Sequence, residues 1–225
     1  MNLKTVGKIA IGVGAVIILY SFITKKKVKN KNILFIGDSM TTIRDDNGNE
    51  SEAWENYPNL IRKMKIGGLN VDVLAIRGKA TKWMKEELPA QLKDKKYDDI
   101  FVFGGTNDIF GGLPIADTVK NIQDIVDIMI QHGARPHVIV GYDTDETWQQ
   151  DKLSPTTWGL KSMDDILKVK QRYIEYQKAL TDNIKNAKLI NFKLGKGMTY
   201  DGVHPNLQGN KIIAGTIMDI IDRGL

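Results

Sequence analysis

Short apolar runs alternate with longer amphipathic stretches along the chain from residue 31 onward. Each apolar run has the length and the boundaries of a buried strand, and each amphipathic stretch has the periodicity of a helix. The predicted strands are 32–37, 71–76, 99–105, 137–142 and 188–192. The predicted helices lie near 53–66, 83–94, 115–132, 163–186 and 207–222. This order predicts an α/β fold of three layers, α/β/α, with a parallel five-stranded sheet in the middle.

The longest irregular stretch, residues 143–162, contains Trp148 and Trp158. It exceeds an ordinary connection, so we expect it to form a lid over a binding site. These two tryptophans and Trp83 could line a cleft, where aromatic faces suit sugar rings, or they could pack in the core or on the surface.

The N-terminal part of the chain has a different pattern. Residues 9–24 are uncharged and mostly apolar, with Lys4 and Lys8 before them and a lysine cluster after them. A helix of this length reaches about 24 Å, and flanking lysines could extend it across a hydrocarbon core of about 30 Å. We therefore predict an N-terminal hydrophobic helix and a basic linker over 1–31, followed by one globular domain over 32–225.

This segment predicts a membrane-anchored protein, although two alternatives remain open. A cleaved signal peptide would make the protein secreted, but no good small-x-small cleavage site follows the apolar residues. A helix buried in a larger assembly is the other alternative. The lysine excess after the segment predicts a cytoplasmic domain from residue 32 onward, whereas a function at the cell wall would require the opposite orientation.

Composition narrows the classes of function. The chain has 225 residues, of which 42% are hydrophobic and 26% are charged, so it can bury a full core. Its formal charge of +5 is concentrated in the lysines near residue 25, which argues against a nucleic-acid partner. The absence of cysteine excludes disulfides, thiolate metal sites and cysteine nucleophiles. No histidine-carboxylate cluster has metal-ligand spacing, and we expect neither a metal nor a cofactor.

Polar residues follow several of the predicted strands. If the strand order is 2-1-3-4-5, then Ser39, Gly78 and Asn107 follow three neighbouring strands at their carboxyl ends. Ligands bind at this edge of an open parallel sheet. The loop 201–206, with the sequence DGVHPN, follows the fifth strand and should rise at the same edge. We therefore expect these residues to share one site.

The same residues have the chemistry of a serine hydrolase. Ser39 is the candidate nucleophile, His204 the candidate base, and Asp201 the group that would orient the imidazole. The backbone N–H groups of Ser39 and Gly78 and the side-chain amide of Asn107 are candidate donors to an oxyanion. Glycine suits position 78 because a missing Cβ lets a ligand approach the backbone closely.

Four short motifs carry a resemblance to a known family. GDSM, the glycine in RGKAT, GGTND and DGVHP resemble, in order, the four blocks of the SGNH (GDSL-type) hydrolases, over about residue 32 to the C-terminus. The chain departs from the usual blocks at Met40, where leucine is common, and before Gly78, where asparagine and serine are common.

This resemblance implies a Ser-His-Asp esterase or acyl hydrolase on a flavodoxin-like fold. The catalytic roles fall on Ser39, Asp201 and His204, and the oxyanion-hole roles on Ser39, Gly78 and Asn107. The substrate would be a lipid ester, another small-molecule ester or an O-acetyl group of an envelope glycan. The oligomeric state is left open.

Each of these residues also has a structural interpretation. Ser39 could simply close a turn, Asp38 could bind loop amides, and Asn107 with Asp108 could cap a loop. The α/β-hydrolase fold is excluded because its Gly-x-Ser-x-Gly motif would need glycine where the chain has Thr41. The alternative of a different class is a catalytically silent module that serves a membrane or a protein assembly.

Overall fold

The computed structural model describes residues 30–43, 55–64, 66–142 and 162–223. The predicted N-terminal helix and nearly all of the predicted lid, including Trp148 and Trp158, lie outside these residues. Within the described ranges, no helix combines the length and the apolar character needed to cross a membrane. The predicted membrane segment and the predicted boundary at residue 31 therefore stay predictions.

Five parallel strands form one sheet in the order β2-β1-β3-β4-β5, as the sequence predicted. The strands are β1 (Lys31–Gly37), β2 (Leu69–Ala75), β3 (Asp99–Phe103), β4 (Arg135–Tyr142) and β5 (Lys188–Phe192). β3 ends earlier than predicted because Gly104 and Gly105 leave the sheet and start the next helix. The carboxyl ends of β1, β2 and β3 are neighbours at one edge.

Six helices cover the sheet within the described residues. They are α1 (Tyr57–Lys63), α2 (Thr81–Leu92), α3 (Thr106–Phe110), α4 (Ile115–Gln131), α5 (Met163–Asn183) and α6 (Leu207–Arg223). α1 packs on α6, whereas α2 packs on α4 and α4 on α5. These two groups are the outer layers of the predicted three-layer fold.

The central strands are buried because helices cover both faces of the sheet. Every side chain of β3 is buried, and so are the four from Ile33 to Ile36 in β1. Phe35 and Phe101 lie side by side across these two strands, with ring centres 5.2 Å apart. Because this core holds β1 and β3 in place, it also fixes the positions at which the loops after these strands leave the sheet.

The short helix α3 was not predicted. No element was predicted between the strand at 99–105 and the helix at 115–132, but Thr106–Phe110 form a single helical turn after Gly105, whose φ is 100°. A segment of this length has too few residues for a helical periodicity to be visible. As a consequence, Asn107 and Asp108 project from a helix that begins directly after β3.

A charged cluster lies at the opposite edge of the sheet. His137 lies within β4 and stacks on Phe101 at 4.2 Å between ring centres. Its Nε2 lies 2.8 Å from Oδ1 of Asp99, and Arg135 donates to Oδ2 of the same carboxylate at 2.7 Å. Burial raises the pKa of Asp99, but these two partners outweigh it and hold the pKa below the usual value. This cluster joins β3 to β4 far from the loops described below.

Candidate active site

Ser39 lies in a tight turn directly after β1. The backbone carbonyl of Asp38 accepts the N–H groups of Thr41 and Thr42 at 3.1 and 2.9 Å. The Asp38 carboxylate accepts the N–H of Met40 at 3.1 Å, a turn typical of aspartate. These bonds leave Ser39 half-buried at the tip of the turn. The sequence interpretation of this stretch as a turn is therefore correct for the backbone. The Ser39 side chain takes no part in these turn bonds, so its hydroxyl can still act as a nucleophile.

The second loop of the site closes on itself like a small hairpin. The N–H of Tyr200 donates to the carbonyl of His204 at 2.8 Å, and Thr199 and Pro205 form an antiparallel bridge. Inside this hairpin, Oδ1 of Asp201 accepts the N–H groups of Val203 and His204 at 3.0 and 2.7 Å. The backbone itself thus places the aspartate beside the histidine.

The hairpin packs on the first turn of α6. The Asn206 side chain accepts the N–H groups of Gln208 and Gly209 and so begins the helix, as the sequence predicted. A Cβ on Gly209 would lie 2.5 Å from the carbonyl oxygen of Met198. Glycine is therefore needed here, because the hairpin backbone packs directly on the helix.

The three predicted catalytic side chains form a continuous hydrogen-bonded chain. Oγ of Ser39 lies 2.9 Å from Nε2 of His204, and Nδ1 of His204 lies 2.8 Å from Oδ2 of Asp201. Burial raises the pKa of Asp201, but the hydrogen bonds and charge of His204 outweigh it, so the pKa lies below its usual 3.8. The ionised carboxylate can only accept, so Nδ1 carries the proton and the lone pair of Nε2 faces the serine hydroxyl.

Gly78 lies in the loop between β2 and α2, at the same edge. Its φ is 72°, in the left-handed region that favours glycine, and a Cβ there would meet no atom within 4 Å. The sequence explained this glycine by close approach of a ligand. The structure adds a second reason, the backbone conformation, which holds even in the free protein.

Asn107 lies at the start of α3 and points between the loops after β1 and β2. Its Nδ2 donates to Oδ2 of Asp38 and to the backbone carbonyl of Lys79, both at 3.1 Å. An amide has two N–H donors, so both protons are directed at protein acceptors. Donation to a substrate oxygen requires that one of these bonds be shared or exchanged.

A family model for the GDSL-like lipase/acylhydrolase family matches residues 35–212. This match covers all four motifs and most of the chain. The protein belongs to this family. Its predicted resemblance to the SGNH (GDSL-type) hydrolases is therefore confirmed, and its general class is that of the ester and acyl hydrolases. No match was found among curated proteins.

Solved structures with the fold of this acylhydrolase include three named hydrolases or lipolytic proteins. An acetylxylan esterase from Geobacillus stearothermophilus has a TM-score of 0.62 at 15% identity, covering 86% of this chain and 94% of its own. A psychrotrophic esterase from Pseudoalteromonas sp. has a TM-score of 0.56 at 18% identity, covering 86% and 98%. A putative lipolytic protein of the G-D-S-L family from Desulfitobacterium hafniense has 0.60 at 14%, covering 85% and 99%. At these identities the likeness shows the shared fold.

A cavity of about 600 Å³ opens between the loops of the acylhydrolase. All five predicted site residues line it. The remaining lining residues are Met40, Glu55, Asn56, Arg77, Tyr200, Pro205 and Asn210. Trp83 is not among them, since it packs partly buried against the core with Nζ of Lys79 5.9 Å from its ring centre. The described part of the chain has no cluster of three or more His, Cys, Asp or Glu side chains placed to hold a metal.

The pKa of Asp38 is shifted by its surroundings. Its side chain is fully buried beneath Ser39. Burial is the largest effect on its pKa and, together with the nearby Asp108, outweighs the lowering effect of the Met40 N–H and of His204, so the pKa lies at about 6. The sequence predicted only that Asp38 binds loop amides, which it does. The contact with Asn107 joins it to a candidate oxyanion donor as well.

Several lining residues escaped the sequence analysis. Arg77 and Tyr200 directly adjoin Gly78 and Asp201, so their positions could have been found by adjacency. Asn210 could not, because it enters the site through tertiary packing. Its Oδ1 accepts the N–H of Tyr57 at 3.0 Å, and its Nδ2 donates to the carbonyl of Pro205 at 2.7 Å. Asn210 thereby joins α6, α1 and the hairpin.

Proposed function

We propose that the protein is a serine esterase that uses Ser39 as nucleophile, His204 as general base and Asp201 to orient the imidazole. The observation that carries this proposal is the chain of hydrogen bonds at 2.9 and 2.8 Å from Ser39 through His204 to Asp201. These are the distances at which a base accepts the proton of an attacking hydroxyl. The chain borders an open cavity, so an ester carbonyl has room to approach Oγ.

The first half of the reaction forms an acyl-enzyme. Oγ of Ser39 attacks the ester carbonyl while Nε2 of His204 takes the hydroxyl proton. Asp201 stabilises the imidazolium through Nδ1. The tetrahedral intermediate then collapses, the bond to the alcohol oxygen breaks, and His204 returns the proton to the leaving alcohol.

The second half repeats these steps with water. His204 takes a proton from the water as its oxygen attacks the acyl carbonyl, and the proton returns to Oγ as the acid leaves. In both halves the negative oxygen would lie against the N–H groups of Ser39 and Gly78 and the Asn107 amide. Such donors are most effective when their positions are fixed before the charge develops.

The lining of the cavity favours a short acyl group on a polar alcohol. Its polar side chains include Glu55, Asn56, Arg77 and Asn210. A long acyl chain would gain about 0.8 kcal/mol for each CH₂ buried against apolar atoms. The apolar side chains of the described lining are Met40, Pro205 and the ring of Tyr200, beside the polar groups named above. We therefore propose an O-acetyl group of a glycan as the substrate, ahead of a lipid ester. An acetylxylan esterase among the proteins of the same fold is in keeping with this proposal.

We also propose that residues 1–31 attach the catalytic domain to a membrane. The proposal rests on the uncharged run at 9–24 and the lysines that flank it. In that arrangement the candidate catalytic residues all lie in the domain from residue 32 onward.

A fluorophosphonate probe tests the nucleophile, because it reacts covalently with an activated serine. The protein should be labelled, and Ser39→Ala should not. Ser162→Ala is a matched control, since Ser162 only caps the exposed start of α5 and should leave labelling intact. Equal labelling of wild type and Ser39→Ala would contradict the assignment. A folded wild type that neither reacts nor hydrolyses any ester would instead favour the catalytically silent module.

The acyl preference is tested with p-nitrophenyl esters of increasing chain length. We expect kcat/KM for the acetate to exceed that for the decanoate by at least roughly tenfold. A preference for the decanoate would contradict a glycan acetate as substrate and favour a lipid.

A further inference from the structure

Asp108 is a buried carboxylate that the proposed acyl transfer does not use. Its side chain is about 1% exposed. Oδ2 accepts the backbone N–H of Thr81 at 2.9 Å, and Oδ1 accepts the Thr81 hydroxyl at 2.6 Å. Both oxygens therefore bind one residue of another segment, and the shorter distance is typical of a charge-assisted O–H donor.

Thr81 is the residue at which the loop after β2 becomes α2. The preceding residue, Ala80, is the N-cap and has no side chain that could accept a first-turn N–H. Asp108 supplies that acceptor from α3. Its negative charge at a helix N-terminus is also favourable. Asp108 thus fixes the point at which the loop ends.

Asn107, the residue before Asp108 in α3, binds the same loop two residues before Thr81. Nδ2 of Asn107 donates to the carbonyl of Lys79 at 3.1 Å. Two consecutive residues of α3 therefore hold the loop on both sides of Ala80. Gly78 comes directly before this held segment, and a Cβ there would meet no atom within 4 Å. No neighbour packs on the Cβ side of Gly78, so its position depends on the turn in which the N–H of Lys79 lies 3.4 Å from the carbonyl of Ile76, and on the bonds that α3 makes to Lys79 and Thr81.

We propose that Asp108, acting through Thr81, is a positioning residue that sets where the Gly78 N–H points in the cavity. The inference rests on the proposed function, in which this N–H stabilises the oxyanion. Oxyanion donors act at about 2.7–3.1 Å, and a displacement of about 1 Å can lower a rate roughly a hundredfold. A loosened loop would weaken binding of the transition state and leave ground-state binding of the ester nearly unchanged.

Thr81→Val and Thr81→Ser separate the hydroxyl from the shape of the side chain. Valine keeps the shape and loses the donor, whereas serine keeps the donor. Asp108→Asn is the complementary change, since it keeps the size and loses the charge. Thr118→Val is the matched control, because Thr118 is also buried and its hydroxyl donates only to the carbonyl of Pro114 in α4.

Esterase kinetics on the full chain give the first readout, with active sites counted by complete fluorophosphonate labelling. We expect Thr81→Val and Asp108→Asn to lower kcat by about tenfold to a hundredfold and to change KM by less than about twofold. Thr81→Ser and Thr118→Val should stay within about threefold of wild type.

Inhibition by an alkyl boronic acid gives a second readout that a merely structural role would not change. The boronate forms a tetrahedral adduct on the nucleophile, so its Ki should rise in Thr81→Val by the same factor by which kcat/KM falls. Unchanged kcat per active site, even with an earlier thermal melt, would overturn the proposal. A rise in KM alone would also overturn it, because it would make the loop a substrate contact. A wild type without turnover would show a failure of the proposed function, and the inference would fall with it.

Discussion

Replacing Asp38 by asparagine removes the charge that is buried beneath the nucleophile. Burial raises the pKa of Asp38 from its usual 3.8 to about 6. A carboxyl whose pKa is higher in the folded than in the unfolded protein destabilises the fold when it ionises. Its contribution therefore favours folding below about pH 4, and that stability is lost as the pH rises through about 6.

The difference between the two pKa values sets the size of the effect. At about 1.4 kcal/mol for each pKa unit, the ionised carboxylate costs about 3 kcal/mol at pH 8. Asparagine has no such cost. In wild type, both Asp38 oxygens accept N–H groups, one from Met40 and one from Asn107. Asparagine replaces one of these oxygens by an NH₂ group, which would face a donor, and this mismatch costs about 1–3 kcal/mol at every pH. The test therefore measures how the difference in free energy of unfolding between Asp38→Asn and wild type changes with pH.

Urea denaturation between pH 4 and pH 8 measures that quantity. We expect the free energy of unfolding of Asp38→Asn, relative to wild type, to rise by about 2 kcal/mol from pH 4 to pH 8. Asp94→Asn, which removes an exposed carboxylate, serves as the control for charge alone. A difference that does not change with pH would refute the buried-charge argument. A fall with rising pH would show that the hydrogen-bond donors stabilise the carboxylate more than burial destabilises it.

Three further changes test separate parts of the molecule. Asn107→Ala should lower kcat by roughly a hundred- to a thousandfold with little change in KM. It should also lower the free energy of unfolding by about 1–3 kcal/mol, because Asp38 and the Lys79 carbonyl lose a donor; a less stable variant with unchanged kcat would make the role of Asn107 purely structural. His137→Leu should lower the free energy of unfolding by about 1–3 kcal/mol, because Asp99 loses a buried partner. Turnover per active site should stay unchanged, and lost turnover in folded protein would contradict this. Deleting residues 1–29 should release a soluble, folded esterase, whereas loss of folding would show that the segment packs into the domain.

The fold could be predicted because its main signals are local. Apolar runs such as 32–37 and the amphipathic stretches between them report strands and helices directly. Parallel strands place their carboxyl ends at one edge, and that rule was enough to bring Ser39, Gly78 and Asn107 together. The hairpin 201–206 was equally accessible, because Asp201 and His204 meet within one loop.

The contacts that hold the site together could not be predicted in this way. Thr81 and Asp108 are 27 residues apart, and Asp38 and Asn107 are 69 apart. Neither pair follows from a period or a motif. The Asn107 amide donates two hydrogen bonds, and the second of them depends on the orientation of the Lys79 carbonyl. Such contacts are set by tertiary packing, which a single sequence does not display.

These contacts divide the site into two supported halves. In one half, α3 links the nucleophile turn to the oxyanion loop, because Asn107 binds Asp38 and Asp108 binds Thr81. In the other, the hairpin with His204 is held on the first turn of α6, where Asn210 donates to Pro205.

The hydrogen bond between Ser39 and His204 joins these halves across the sheet edge. Tyr57 connects them as well, since its hydroxyl lies 2.9 Å from Oγ1 of Thr41 and its N–H donates to Asn210. Substitutions in α3 should act on stabilisation of the oxyanion, and substitutions at the base of the hairpin should act on proton transfer. In the proposed mechanism, the GDSM and DGVHP motifs carry the reacting atoms, whereas GGTND would fix the geometry in which those atoms meet the substrate.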